Sequence, residues 1–229
     1  LAALTALDLG LPAADHLAVV ELVQPAEQPT APGDRAAVAR WRKTLGALVT
    51  RVAATPGVVA VAPVVHPPYA GQAGWDGALA PVDAPGDSTR RPVVNLEITN
   101  VDYPRATGLA LRAGRFLAAA DRADAPPAVV VSEGAARRLF PGQRSADVVG
   151  RRVSLGGPTQ FTIVGVVGDT RWREFLEPRP TAYFAYAQFP GTPTMLAVRT
   201  AGDPSAAVRA VQRAVGDVAP SLLVVARGG

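Results

Sequence analysis

Two strand–helix–strand patterns, one near each end of the chain, restrict its fold more than any other feature. Residues 17–23, LAVVELV, read as a strand. Val38, Trp41, Leu45, Leu48 and Val52 then recur at alternating steps of three and four, the single apolar stripe of an amphipathic helix. Asp34 stands where an N-cap belongs, and Pro56-Gly57 stops the helix before the strand run VVAVAPVV at 58–65. Pro63 marks that strand as bent or as a sheet edge. The pattern returns near the end: TMLAVRT at 194–200, a helical stripe through Val208, Val211, Val215 and Val218 opened by Asp203-Pro204, and SLLVVAR at 221–227.

The middle is punctuated differently. PVVNLEITNV at 92–101 alternates as a strand, and YPRATGL at 103–109 suits a short helix or turn. PAVVVS at 127–132 reads as a short buried strand, with Ser132 capping the helix EGAARRLF and Glu133 in its first turn. Residues 150–169 read as a hairpin about Gly156-Gly157, and 181–189 as an aromatic strand. Residues 66–91, rich in Gly and Pro, read as a long loop or hairpin excursion. The expectation is an α+β fold: a discontinuous outer unit (1–110 and 191–229) of ferredoxin-like βαβ units, with a mostly β unit (111–190) inserted into it.

Composition closes off several function classes. Hydrophobic residues are 48% of 229, enough for a core, so this is one large domain or two small ones. The net charge is +4, and Lys43 is the only lysine beside 22 arginines, which points to a GC-rich genome. The arginine pairs 90–91, 137–138 and 151–152 are scattered, so no nucleic-acid partner is expected. Without cysteine there is no disulfide, thiolate metal site or thiol nucleophile. No apolar run approaches a membrane span, and the start at Leu1 without Met suggests a piece of a longer protein.

A search for chemistry yields little. His16 and His66 lack ligand spacing and read as exposed loop residues, so no metal site is expected. Ser132 lies at a strand–helix junction, but Val130 stands where a nucleophile elbow needs glycine. GVVGDTRW and LGGPTQ are weak as phosphate loops. Asp121 and Asp124 read as caps or ion pairs rather than paired catalytic carboxylates. No catalytic residue and no cofactor is expected. Asp169, at the tip of FTIVGVVGD, reads as a turn made with Gly168, and Gly165 as a position of close backbone packing.

The order of motifs then becomes specific. LEITNVDYPRATGLALRAGRFLAAAD, AVVVSEGAARRLFPG, DVVGRRVSLGGPTQFTIVGVVGDTRW and LAVRTAGDPSAAVRAVQRAVGD together resemble the MacB-like periplasmic core domain of ABC-transporter permeases (MacB/FtsX-type), over roughly residues 92–225. The resemblance implies a porter-like unit with an inserted sabre-like unit, outside the cytoplasmic membrane between two membrane helices of the same parent chain. It implies a non-catalytic domain that transmits ATP-driven helix motion to cargo or to a periplasmic partner, with a cytoplasmic ABC ATPase subunit or domain. The parent is expected to dimerise through its membrane helices, leaving the domain alone a monomer. The alternative is a solute-binding module holding a small ligand between its two units. Within the resemblance, Arg115 is expected to pair with Asp121 and pin the start of the insertion. If exposed, Trp172 and Phe175 are candidate partner-facing aromatics; the alternative is packing in a satellite core.

Overall fold

The computed structural model describes residues 16–23, 35–68, 70, 74–82, 91–174 and 176–227; Asp34 and Phe175 lie outside them. Two mixed α/β units result. The first is a four-stranded antiparallel sheet of β1 (Leu17–Val23), β2 (Val58–Val64), β11 (Met195–Thr200) and β12 (Leu223–Arg227), ordered β12-β1-β11-β2. Helices α1 (Arg35–Ala53) and α5 (Ser205–Val218) complete it. The chain order β1-α1-β2-β11-α5-β12 with that strand order is the ferredoxin-like arrangement. Its usual β–β turn is replaced by everything between β2 and β11.

Periodicity accounts for the helices. The α1 residues Val38, Trp41, Leu45, Leu48 and Val52 are all buried, against Val20, Leu22, Val61, Leu196 and Val198 of the sheet. In α5 the buried face is Ala207, Ala210, Val211, Ala214 and Val215, turned slightly from the expected valine stripe because small alanines let the helix approach α1 and the sheet closely. Asp203 accepts the Ser205 amide at 2.8 Å just before that helix.

The second unit is an eight-stranded mixed sheet. Its main path is β3 (Asp76–Ala78), β5 (Val93–Thr99), β10 (Thr181–Ala185), β7 (Ala128–Ser132), β9 (Gln160–Val167), β8 (Arg152–Ser154) and β4 (Ala80–Pro81), with β6 (Leu111–Gly114) paired to β9. Short helices α2 (Tyr103–Thr107), α3 (Glu133–Leu139) and α4 (Ser145–Val148) join its strands. Sheet membership changes after Val64 and before Met195. The strand at 92–101, assigned by pattern to the outer unit, therefore belongs to the inserted sheet, where β5 lies between β3 and β10. The 66–91 excursion is likewise not all loop: β3 and β4 are sheet members. β6 and α4 are further elements that punctuation alone did not show.

The two sheets pack on one another. Val19, Ala60, Ala62, Val64 and Ala197 of the first meet Val130, Val167, Tyr183 and Ala185 of the second, with Tyr103 and Trp172 in the same core. The far face of the eight-stranded sheet carries Leu96, Ile98, Val129, Val131, Ile163 and Phe184 against Ala135 and Leu139 of α3. Alternation along each strand thus feeds two cores at once, and β5, β7 and β10 are almost wholly buried.

β2 is an edge, as Pro63 suggested, and that edge is closed. Arg105 donates to the Val59 carbonyl at 2.9 Å and Asn100 to the Val61 carbonyl at 3.1 Å. Pro63 has no N–H to offer, and the Val65 amide donates to Glu97 Oε1 at 2.8 Å. Side chains thus satisfy the edge groups that would otherwise template another strand.

Candidate functional site

On β5 the side chains of Asn95, Glu97 and Thr99 project toward the other sheet, and all three are buried. Polar residues on one face of a strand normally meet water. Here they form a polar joint where the two sheets meet. Glu97 is 1% exposed; its Oε1 accepts the Val65 amide just past β2, and its Oε2 lies 3.6 Å from His66 Nε2. His66 Nδ1 is 3.1 Å from the Pro67 carbonyl. A carbonyl only accepts, so Nδ1 carries a proton and Nε2 is the nitrogen that faces Glu97. Trp172 donates its indole N–H to the His66 carbonyl at 3.2 Å, tying the segment after β9 to the segment after β2.

Arg173 closes the joint from the side. It is 2% exposed and donates to Asp76 at 2.7 and 3.2 Å and to Asn95 Oδ1 at 2.8 Å. Arg179 donates to the other face of Asp76 at 2.8 Å and also to Glu174. Two guanidiniums are thus matched by two carboxylates, and Glu97 is left without a cation in contact. Burial pushes the Glu97 carboxyl up to about 8, against the lowering influence of the Val65 N–H and the Arg173 charge. Burial also lowers His66, helped by Arg173 and opposed by the Pro67 carbonyl. The enclosed void lined by Asn95, Glu97, Tyr103, Arg173, Thr181 and Tyr183 measures about 10 Å³, room for a single water.

This is a polar contact between two sheets. It offers buried charge and a shared hydrogen-bond network, with no nucleophile beside a base. Among the described residues no group of three or more His, Cys, Asp or Glu is placed to hold a metal ion, and no helix is long and apolar enough to cross a membrane. No curated protein sequence matches the chain. The family model for the MacB-like periplasmic core domain matches residues 6–216. The chain belongs to that family.

As a MacB-like periplasmic domain of an ABC-type transporter permease, it has the fold of solved relatives of low identity. The periplasmic region of MacB from Actinobacillus actinomycetemcomitans aligns at TM-score 0.58 and 15% identity, covering 94% of this chain and 90% of that one. The extracellular domain of the noncanonic ABC-type transporter YknZ from Gram-positive bacteria aligns at TM-score 0.55 and 15% identity, covering 90% and 99%.

Other residues singled out by sequence have their partners away from this joint. Asp169 does not stand free at a strand tip. Its Oδ1 accepts the Gly134 amide at 2.7 Å and its Oδ2 the Arg137 guanidinium at 2.8 Å, so it caps the first turn of α3. Ser132 Oγ caps the same helix through the Ala135 amide at 3.3 Å and also takes the Thr181 amide at 3.1 Å. Gly168 donates its amide to Ala110 at 2.9 Å. A Cβ on Gly165 would lie 2.0 Å from the Arg115 carbonyl oxygen.

Trp172 requires correction. Expected to face a partner, it is 3% exposed, because its ring packs near Tyr103 and its N–H is spent on His66. The exposed apolar side chain nearby is Leu176, at 84%, in the wall of an open groove of about 510 Å³ that Arg137, Arg138, Asp169 and Glu177 also line. His66 also departs from expectation: it is buried, and it is the residue that sequence reasoning most undervalued, together with Glu97. The sequence signal for Glu97 was the triplet Asn95, Glu97, Thr99, which reads as a solvent face unless a second sheet is known to cover it.

Arg115 and Asp121 form a bidentate pair at 2.7 and 2.8 Å, and the Ala118 amide adds a third bond to Asp121 at 2.8 Å. Burial alone would raise the Asp121 carboxyl, but the Arg115 fork, the Ala118 N–H and the guanidinium charge outweigh it and hold the group below the usual carboxylate range. A depressed carboxylate contributes stability above its unfolded value and loses it as pH falls, so this pair weakens in the acid range below about pH 4. Because Arg115 is 47% exposed, solvent screens the pair. Arg115→Ala is expected to cost about 1 kcal/mol, a melting shift of about 3 °C, and to open the 115–121 segment to protease. An unchanged melt and digest would show that the fork pins nothing.

Proposed function

We propose that this domain transmits movement of its parent permease's membrane helices to cargo or to a periplasmic partner protein, and performs no catalysis itself. In this reading a cytoplasmic ABC ATPase subunit or domain supplies the energy, and the parent dimerises through its membrane helices. We take the porter-like unit as the four-stranded sheet with α1 and α5, and the sabre-like unit as the eight-stranded sheet, with the boundary at the change of sheet.

The register of the four-stranded sheet is the observation that carries this reading. β1 begins and β12 ends at one end of the sheet, where Val19 faces Arg227. β2 ends and β11 begins at the other, where Val64 faces Met195. A displacement applied where the chain enters and leaves thus runs along strands of seven residues, roughly 23 Å at the rise of a β-strand, before it reaches the second unit. A close-packed sheet passes strain on rather than absorbing it. The solute-binding alternative gains no support from the joint, whose void of about 10 Å³ holds no more than a water.

These 229 residues contain no cysteine, so within the domain a label goes only where one is introduced, and any cysteine elsewhere in the parent permease is first replaced by serine. Spin labels at Arg209→Cys on α5 and Arg138→Cys on α3, both exposed, should report two distance distributions in the reconstituted full-length permease, one nucleotide-free and one ATP-bound. If label distances and accessibility were identical through the ATPase cycle while transport proceeded, the domain would be a passive scaffold.

A further inference from the structure

His66, two residues past the end of β2, and Glu97 of β5 meet between the two sheets, 2% and 1% exposed. Nε2 and Oε2 are 3.6 Å apart and neither makes a hydrogen bond of good geometry, although the Asn95 side chain also bears on His66 and favours its protonated form. The other atom of each group is committed: Nδ1 donates to Pro67, and Oε1 accepts from Val65. The number of protons between the pair is therefore constrained. With none, a lone pair faces a carboxylate, two acceptors with no donor. With two, His66 N–H and an acid O–H oppose each other, or the acid proton moves to Oε1 and collides with the Val65 N–H. One proton satisfies every atom, and a shift of roughly half an ångström brings the pair to bonding distance.

The surroundings agree. From β3 comes Asp76, bound to Arg173 and Arg179; from the segment after β9 come Arg173, Arg179 and Glu174, matched to Asp76 and to each other. From β5, α2 and β10 come Asn95, Tyr103 and Tyr183, and burial raises both tyrosines so that they stay neutral. Among the described residues, the guanidinium whose charge reaches Glu97 is that of Arg173, which is already bound to Asp76 and Asn95.

We propose that His66 and Glu97 share a single proton that fastens the two sheets to each other, so that adding or removing one proton loosens the joint. The inference concerns the domain by itself and does not depend on the transmission role. The signs follow from linkage. Glu97, raised from 4.5 to about 8, contributes fully below 4.5 and loses its contribution as pH rises toward 8. His66, lowered from 6.5, contributes fully above 6.5 and loses its contribution as pH falls. Just below 6.5 the two slopes oppose. Above 6.5 the Glu97 slope acts alone, and over the interval to 8 one proton weakens the joint about 15-fold.

Two protons report on the joint: the Val65 amide, held by Glu97, and the Trp172 indole N–H, held by His66. Their hydrogen exchange in the 229-residue chain, corrected for base catalysis, should show an opening constant that rises about 15-fold between pH 6.5 and 8. Glu97→Gln keeps the bond from Val65 and gives His66 Nε2 a permanent donor, so its opening constant should be flat over that range. A flat wild-type profile overturns the proposal. So does a Glu97 carboxyl ¹³C shift of a carboxylate at pH 6 together with a His66 Nε2 ¹⁵N shift of an unprotonated nitrogen, a measurement that needs no variant to fold.

Discussion

Gly165→Ala is expected to lose roughly 3 kcal/mol or more, and Gly165→Val to prevent folding. The cause is backbone against backbone. An added Cβ would lie 2.0 Å from the Arg115 oxygen and 2.8 Å from its carbonyl carbon. Across the pair, Gly114 has φ +68 and its own Cβ would meet the Val164 oxygen at 2.4 Å. The two glycines face each other in the β6–β9 register, and the Arg115 amide donates to Val164 at 2.9 Å just beyond. No flexible side chain can give way, so β6 must leave β9 or distort. Gly157→Ala is the control: no atom lies within 4 Å of the methyl it would add, and it should stay within about half a kcal/mol of wild type. Urea titration of both variants decides the matter; a G165A midpoint equal to that of G157A would mean that β6 does not approach β9 this closely.

Arg173→Met is expected to cost about 3–5 kcal/mol, the loss when one member of a buried charged network is removed and its partners remain. Asp76 would keep only Arg179, and Asn95 Oδ1 would lose its donor inside the joint. Methionine replaces the volume, so a lost cavity contact does not explain the effect. Adding Asp76→Asn should restore part of the stability, because it removes the carboxylate left short of charge. The same substitution removes a cation that lowers both Glu97 and His66, so both groups should titrate higher than in wild type. A small loss of stability with no recovery in the double variant would show that Arg173 merely fills space.

How much of this was legible in the sequence depends on whether the signal was local. The α1 stripe was read residue for residue, because five apolar side chains on one helical face have a single explanation. The Ser132 cap, the Gly156 hairpin and the ferredoxin-like outer sheet were readable for the same reason. The allegiance of β5 was not, because a strand's pattern does not say which sheet it joins. Glu97 and His66 escaped notice for a related reason. An alternating Asn-x-Glu-x-Thr strand and a histidine after a strand both look solvent-facing until another layer covers them. Trp172 went the same way: as a loop aromatic it suggests an interface, yet its N–H had a backbone acceptor more than a hundred residues away in sequence.

The interrupted outer sheet also sets the order in which this molecule can be assembled. β1, α1 and β2 are synthesised before β11, but β1 and β2 do not touch as neighbours; β11 must lie between them. Until the eight-stranded unit has formed and brought Val64 close to Met195, the first strands have no partner and their apolar faces stay unburied. Closing so long a loop carries an entropic cost that the inserted unit removes by folding. The insertion is thus a kinetic prerequisite for the unit that surrounds it. A lesion confined to the eight-stranded sheet should show first as slow, aggregation-prone maturation of the whole chain, before any defect appears in the finished molecule.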